Sequence, residues 1–211
     1  PVHSPSTILV TSHRPEEGKS FTSLNLAASY ALLNKKVVVL EFDLRKPRLS
    51  AAVNIHSEVG ISNYLAANNV TTDNILQEVP GFEQRFWLLP AGPIPPNPAE
   101  LILGERMKEL MEELHKKFDY IIFDTPPYGL VTDSSLLAAH TDISIVVLRQ
   151  GFTFKWVLRE LNKKIADNPA QSLYTVINRV GEKNSYGSYK RYGYGYTEYF
   201  DTPHKKKKWG K

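Results

Sequence analysis

An α/β fold, a mostly parallel sheet with helices on both faces, is predicted by two features of the 211-residue sequence. Short apolar runs rich in Val, Ile and Leu alternate with segments of helical periodicity, and the first run leads into Gly18-Lys19-Ser20 at the head of an amphipathic stretch. Near-continuous apolar strands need burial on both faces, which a parallel sheet with helical crossovers provides. Such sheets bind ligands beyond the carboxyl ends of their strands, so functional residues are sought there.

Strands are predicted over residues 7–12, 36–43, 85–90, 120–124, 143–149 and 173–178, each bounded by turn or charged residues. Helices are predicted over residues 19–33, 61–67, 99–116, 133–139 and 154–166. Asn97, Pro98 and Glu100 mark the start of the third helix as N-cap, first-turn proline and capping-box acid. After Asn178 the chain is Gly, Tyr, Ser and Lys with almost no aliphatic residue. Residues 1–178 are therefore assigned to one folded domain and residues 179–211 to a flexible tail, which cannot bury enough apolar surface to offset the entropy of ordering.

With 42% hydrophobic and 23% charged residues the composition is that of an ordinary globular domain. The absence of cysteine excludes disulfides and thiolate metal sites. No run approaches the roughly 18 apolar residues of a membrane span, and no basic-then-apolar leader opens the chain, so a soluble, cytoplasmic domain is expected. Of the net charge of +4, residues 182–211 hold eight Lys or Arg against three acids, a net +5, which leaves residues 1–181 at −1. Any attraction to an anionic partner belongs to the tail.

The strand at 7–12 runs into Ser12-His13-Arg14-Pro15-Glu16-Glu17-Gly18-Lys19-Ser20 and then a helix. Strand, loop and Gly-Lys-Ser at a helix start form the context of a phosphate-binding loop. Gly18 lets the backbone approach phosphate, successive N–H groups cradle it, Lys19 neutralises the β and γ oxygens, and Ser20 ligates Mg²⁺. Glu17 and Phe21 flank these residues and are counted with them as nucleotide contacts. The strict pattern asks for Gly where His13 stands, and a plain helix start with a solvated lysine is the alternative. Glu16 and Glu17 would repel a triphosphate, so both are expected to point outward.

Two strands end in acids. In Glu41-Phe42-Asp43, alternation places Glu41 and Asp43 on one face, where they could hold Mg²⁺ or its waters, or orient a nucleophile. In Tyr120-Ile121-Ile122-Phe123-Asp124, Asp124 has the Walker B arrangement, an oxygen ligand at the sheet edge in reach of a metal on Ser20. Acids at strand ends also serve as caps or solvated termini. Lys19, Glu41, Asp43 and Asp124 are the candidate catalytic residues, and Ser20, Asp43 and Asp124 the candidate metal ligands.

These motifs together resemble the bacterial tyrosine kinase family, the autokinases of capsule and exopolysaccharide synthesis. Thr11-Ser12, Pro15 and Gly18-Lys19-Ser20 resemble its Walker A, residues 41–47 its second acidic motif, and residues 118–127 its Walker B. Residues 92–101 are also similar, so the resemblance spans essentially the whole chain. The family usually carries Asp where this chain has Glu41, while Asp43 and Asp124 match. The related partitioning and septum-site ATPases carry a signature lysine at the position of Arg14 and lack a tyrosine tail. The family's Glu-x-x-Arg-x-x-Arg helix, implicated in ring assembly, has no counterpart in these residues.

The resemblance implies ATP with ADP as product, Mg²⁺, an adenine contact from Asn178, and a place at the inner face of the cell membrane. It also implies a membrane chain-length partner, fused or separate, and self-association as a homo-oligomer. Tyr186, Tyr189, Tyr192, Tyr194, Tyr196 and Tyr199, six of the eleven tyrosines, are the expected acceptors, offered by the tail of a neighbouring subunit. Two alternatives are a switch ATPase of the partitioning type and a Tyr/Lys-rich nucleic-acid-binding module. Beside the phosphate loop, no nucleic acid is expected.

Overall fold

The computed structural model describes residues 6–167 and 172–181. Seven strands form one sheet: β1 (Ser6–Ser12), β2 (Val37–Glu41), β3 (Gln77–Glu78), β4 (Phe86–Leu89), β5 (Tyr120–Asp124), β6 (Ile143–Arg149) and β7 (Ser172–Asn178). Their order is β3-β4-β2-β5-β1-β6-β7, parallel throughout except for the short antiparallel β3. The α/β expectation holds. β1, which feeds the phosphate loop, pairs with β5 on one side and β6 on the other, and Glu41 lies opposite Asp124 where β2 meets β5.

Eight helices accompany the sheet among the described residues: α1 (Lys19–Leu32), α2 (Leu49–Ala52), α3 (Ile61–Ala66), α4 (Thr72–Ile75), α5 (Pro98–Leu103), α6 (Glu105–Lys117), α7 (Asp133–Ala138) and α8 (Lys155–Asp167). Strand alternation sorts the core into two layers. Ile8, Val10, Val37, Val39, Ile122 and Val147 pack with Leu24, Ala27 and Ala31 of α1. Leu9, Val38, Leu40, Ile121 and Phe123 face Ile61, Tyr64, Ile102, Met107, Leu110, Leu114 and Leu137 of α3, α5, α6 and α7. A smaller cluster of Val146, Leu148, Val157 and Leu161 seats α8 on β6. Val, Ile and Leu on both faces of the inner strands are why the sheet lies between helices.

The structure departs from the predicted elements in several places. The helix expected over residues 99–116 is two helices, because Gly104 is extended (φ −72°, ψ 160°) and serves as C-cap of α5 and N-cap of α6. Asn97 makes no capping bond to the helix backbone, and its amide donates to the Glu100 carboxylate instead. The strand expected to reach Asp43 ends at Glu41; Phe42 N–H still donates to Asp124 O at 2.9 Å but is shared with Leu40 O at 3.0 Å as the chain bends. Short α2, α4 and β3 carry too few residues for a periodic signal. The tail tyrosines and the lysine run at 205–208 lie outside the described residues.

Gly60, ahead of α3, is extended and faces the β4 end so closely that an added Cβ would lie 2.2 Å from Gly92 N and 2.3 Å from Pro90 O. Backbone cannot yield as a side chain can. Gly60→Ala is therefore expected to lower stability by about 1–3 kcal/mol and the melting temperature by several degrees, in the range of overpacking. An unchanged melting temperature would show that the contact relaxes freely.

Candidate active site

The loop from β1 to α1 owes its shape to Gly18 and Glu17. Gly18, the N-cap of α1, is left-handed (φ 104°), and a Cβ there would lie 2.0 Å from Asn178 Nδ2. Both the conformation and the space demand glycine. Asn178, at the end of β7, donates from Nδ2 to Glu17 O at 3.0 Å, so the last strand braces the first loop. Glu17 was expected to face solvent but is fully buried. Its Oε2 accepts from Arg14 N–H at 2.9 Å and its Oε1 from the Thr153 hydroxyl, turning the carboxylate into an internal strut of the loop. Glu16 is exposed, as expected.

Residues 13 and 14 pack on the outer side of this loop. His13, in place of the consensus Gly, is T-stacked between Tyr128 (5.3 Å) and Trp156 (4.8 Å). The Arg14 guanidinium lies 3.8 Å from the Phe152 ring centroid. Phe21 is 64% exposed on the first turn of α1, and its side chain makes no core contact.

Lys19, Asp43 and Asp124 converge. Lys19 Nζ lies 2.9 Å from Asp43 Oδ2 and 3.9 Å from Asp124 Oδ2. Ser20 Oγ donates to Asp124 Oδ2 at 2.7 Å, and Ser23 Oγ donates to Asp124 Oδ1 at 3.2 Å. Ser23 escaped the sequence reading. Its position one turn after Lys19, on the inward face of α1, was the available signal.

Glu41 stands apart from this group. Fully buried, it accepts from Leu49 N–H, from Ser50 N–H (3.3 Å) and Ser50 Oγ (2.8 Å), and from Ala91 N–H (3.3 Å). The expected shared face with Asp43 is not formed, because β2 stops at Glu41 and the Phe42 turn breaks the alternation. Glu41 thereby satisfies amides at the start of α2 and ties them to the end of β4.

Burial in the sheet pushes the Asp124 carboxyl up to about 6, with the charge of Asp43 adding, while Lys19, Ser20 and Ser23 pull it back. No cluster of three or more His, Cys, Asp or Glu able to hold a metal occurs among the described residues. A hydroxyl and a carboxylate completed by phosphate oxygens is, however, the donor set that Mg²⁺ takes at nucleotides.

A left-handed glycine before Lys-Ser at a helix start, with an acid ending the neighbouring strand, defines a nucleotide-binding domain of the P-loop α/β class. The AAA domain family matches residues 6–168. Tyrosine-protein kinase YwqD of Bacillus subtilis is 36% identical over 185 residues, 87% of this chain and 77% of that protein. Putative tyrosine-protein kinase EpsB of Ralstonia solanacearum is 32% identical over 90% of this chain but only 26% of its own length, so there the matched part belongs to a longer chain. The kinase domain of Escherichia coli tyrosine kinase ETK superposes with a TM-score of 0.77 at 28% identity, over 91% of this chain and 73% of that one. The chain belongs to the bacterial tyrosine kinase family and is a protein-tyrosine kinase. No helix among the described residues is long and apolar enough to cross a membrane.

The folded state holds the Asp124 proton more tightly than the unfolded chain, so its contribution to stability is intact below about pH 4 and is lost as pH rises through about 6. Two units correspond to about 3 kcal/mol. Without nucleotide, Asp124→Asn should melt above the parent protein at pH 8, with the gap closing toward pH 4; melting below the parent at pH 8 would contradict this. Glu41→Gln should lower stability by about 1.5–3 kcal/mol, since an amide cannot accept at both ends. Its nucleotide Kd should change less than threefold, whereas lost binding with unchanged melting would place Glu41 at the metal instead.

Proposed function

We propose that this kinase transfers the γ-phosphoryl group of ATP, with Mg²⁺, to the tyrosines of its own tail, Tyr186, Tyr189, Tyr192, Tyr194, Tyr196 and Tyr199, in a neighbouring subunit. The observation that carries this reading is the convergence of Lys19, Ser20, Asp43 and Asp124 on one point at the carboxyl rim of the sheet. Backbone N–H groups of residues 17–20 and the N-terminus of α1 receive the phosphates, and Lys19 leaves Asp43 to bind their oxygens. Asn178 and the end of β7 bound the base side. Ser20 and Asp124 hold Mg²⁺, with Asp43 beside them. When bound there, Mg²⁺ would supply positive charge for the β and γ phosphate oxygens.

In the reaction the phenolic oxygen bonds to the γ phosphorus, the bond from that phosphorus to the β–γ bridging oxygen breaks, and ADP leaves with the electron pair. The phenolic proton passes to the Asp43 carboxylate, freed from Lys19. Glu41 is unsuited to that task, because its oxygens already accept four bonds. A phenol of pKa near 10 loses its proton late, so positioning and electrostatics supply most of the acceleration.

Six phosphates would add roughly −9 to −12 to the +5 of residues 182–211, enough to reverse its sign and weaken self-association. The unmodified lysine run at 205–208 would favour an anionic membrane by about 1 kcal/mol per charge. A role in exopolysaccharide or capsule production, at the inner face of the membrane with a chain-length partner, is what the family resemblance implies.

Labelled Mg·ATP tests the reading. Parent protein should place label on tail tyrosines, Lys19→Met should place none, and replacing all six tyrosines by Phe should abolish label while nucleotide binding persists. Lys19→Met with an intact tail, mixed with active protein bearing the six Phe, should become labelled. Free phosphate without labelled tyrosine would support a switch ATPase instead.

A further inference from the structure

Past the Glu41 to Asp124 register the neighbouring strands part company. The last backbone bond between them is Phe42 N–H to Asp124 O at 2.9 Å. The chain after β5 then turns toward β1, with Thr125 N–H on Val10 O at 3.1 Å, while the chain after β2 leaves as the 43–48 loop that carries Asp43. Lys46 N–H bonds to Asp43 Oδ1 at 3.2 Å, but that contact lies within the loop and does not anchor it.

Leu44 is buried in the core, and among the described residues two polar side-chain ties also link this loop to the rest of the site. One is Asp43 to Lys19. The other is Arg45 to Asp133, with Nε 2.9 Å from Oδ2 and Nη2 3.3 Å from Oδ1. Asp133 opens α7, the first helix after Asp124, and its side chain is only 3% exposed, whereas Arg45 is 45% exposed. A flat guanidinium meeting both oxygens fixes direction as well as distance, which an ammonium group cannot do.

The two ties differ in what the reaction does to them. Lys19 must give up Asp43 when it turns to phosphate, so the first is lost when Asp43 is needed. The second does not involve Lys19 and need not break. We propose that Arg45 and Asp133 are a positioning pair that keeps Asp43 in register with Asp124 once Lys19 has moved to the nucleotide. The Arg45 guanidinium, though paired with Asp133, also stays within electrostatic reach of Asp43 after the lysine departs. This inference rests on the reading of Lys19 as the phosphate-binding lysine.

Amide hydrogen exchange of residues 43–48 tests it, with and without AMP-PNP and Mg²⁺ at ten times the Kd measured for each protein. Arg45→Lys keeps the charge and the fold but loses the fork, and Asp133→Asn removes the partner. Without nucleotide both variants should exchange within about twofold of the parent, because Lys19 still holds Asp43. With nucleotide both should exchange at least tenfold faster, and the double variant no faster than the singles. In phosphorylation assays kcat should fall tenfold or more, with KM for ATP within threefold. Equal acceleration in both states, or in neither, overturns the pair. Failure of the parent protein to bind AMP-PNP overturns the reading of Lys19 and the pair with it.

Discussion

Two aspartates can face one another at the rim of this sheet because the ammonium group of Lys19 sits between them, 2.9 Å from one and 3.9 Å from the other. Burial is what pushes the Asp124 carboxyl up, and the Lys19 charge outweighs the smaller repulsion from Asp43. Much of the surrounding architecture serves that arrangement. β5 must lie beside β1 for Asp124 to meet Ser20 and Ser23 on the first turns of α1, and β2 must lie beside β5 to deliver Asp43. An apolar layer on each face of the sheet keeps the three strands in register, so the site inherits its precision from Val, Ile and Leu far from any phosphate.

The parts of the site legible in the sequence were those set by local order along the chain. Gly18, Lys19 and Ser20 follow a strand and open a helix, and Asp124 closes an apolar run, so their rim positions follow from a parallel sheet. Glu41 and Asp43 were misplaced relative to one another because alternation holds only while the strand lasts, and it ends where the chain bends at Phe42. Glu17 was misdirected for a different reason. Its partners are a backbone amide within its own loop and a hydroxyl 136 residues away, and no periodicity announces either. The break at Gly104 was visible as a glycine but not as a full stop, since a single glycine within a helical pattern is often tolerated.

Glu41 illustrates how a small change in side-chain length redirects a residue. At a position where the resemblance leads one to expect aspartate, the additional methylene carries the carboxylate to the amides of Leu49, Ser50 and Ala91. A charge that a shorter side chain could aim at a ligand is spent here on the junction of two loops. Asp43 is the acid of this loop that meets Lys19, and the loop that bears it has firm ends: Glu41 on one side, the start of α2 on the other.

The bond from Asn178 to Glu17 O spans 161 positions of the chain. During synthesis the first loop leaves the ribosome long before the strand that braces it, so the nascent protein carries a recognisable phosphate motif without a finished phosphate cradle. A cradle that relies on this brace is complete only once β7 has docked. The same geometry makes nucleotide a reporter of completed assembly, and a ligand that favours the assembled form draws the final strand into place.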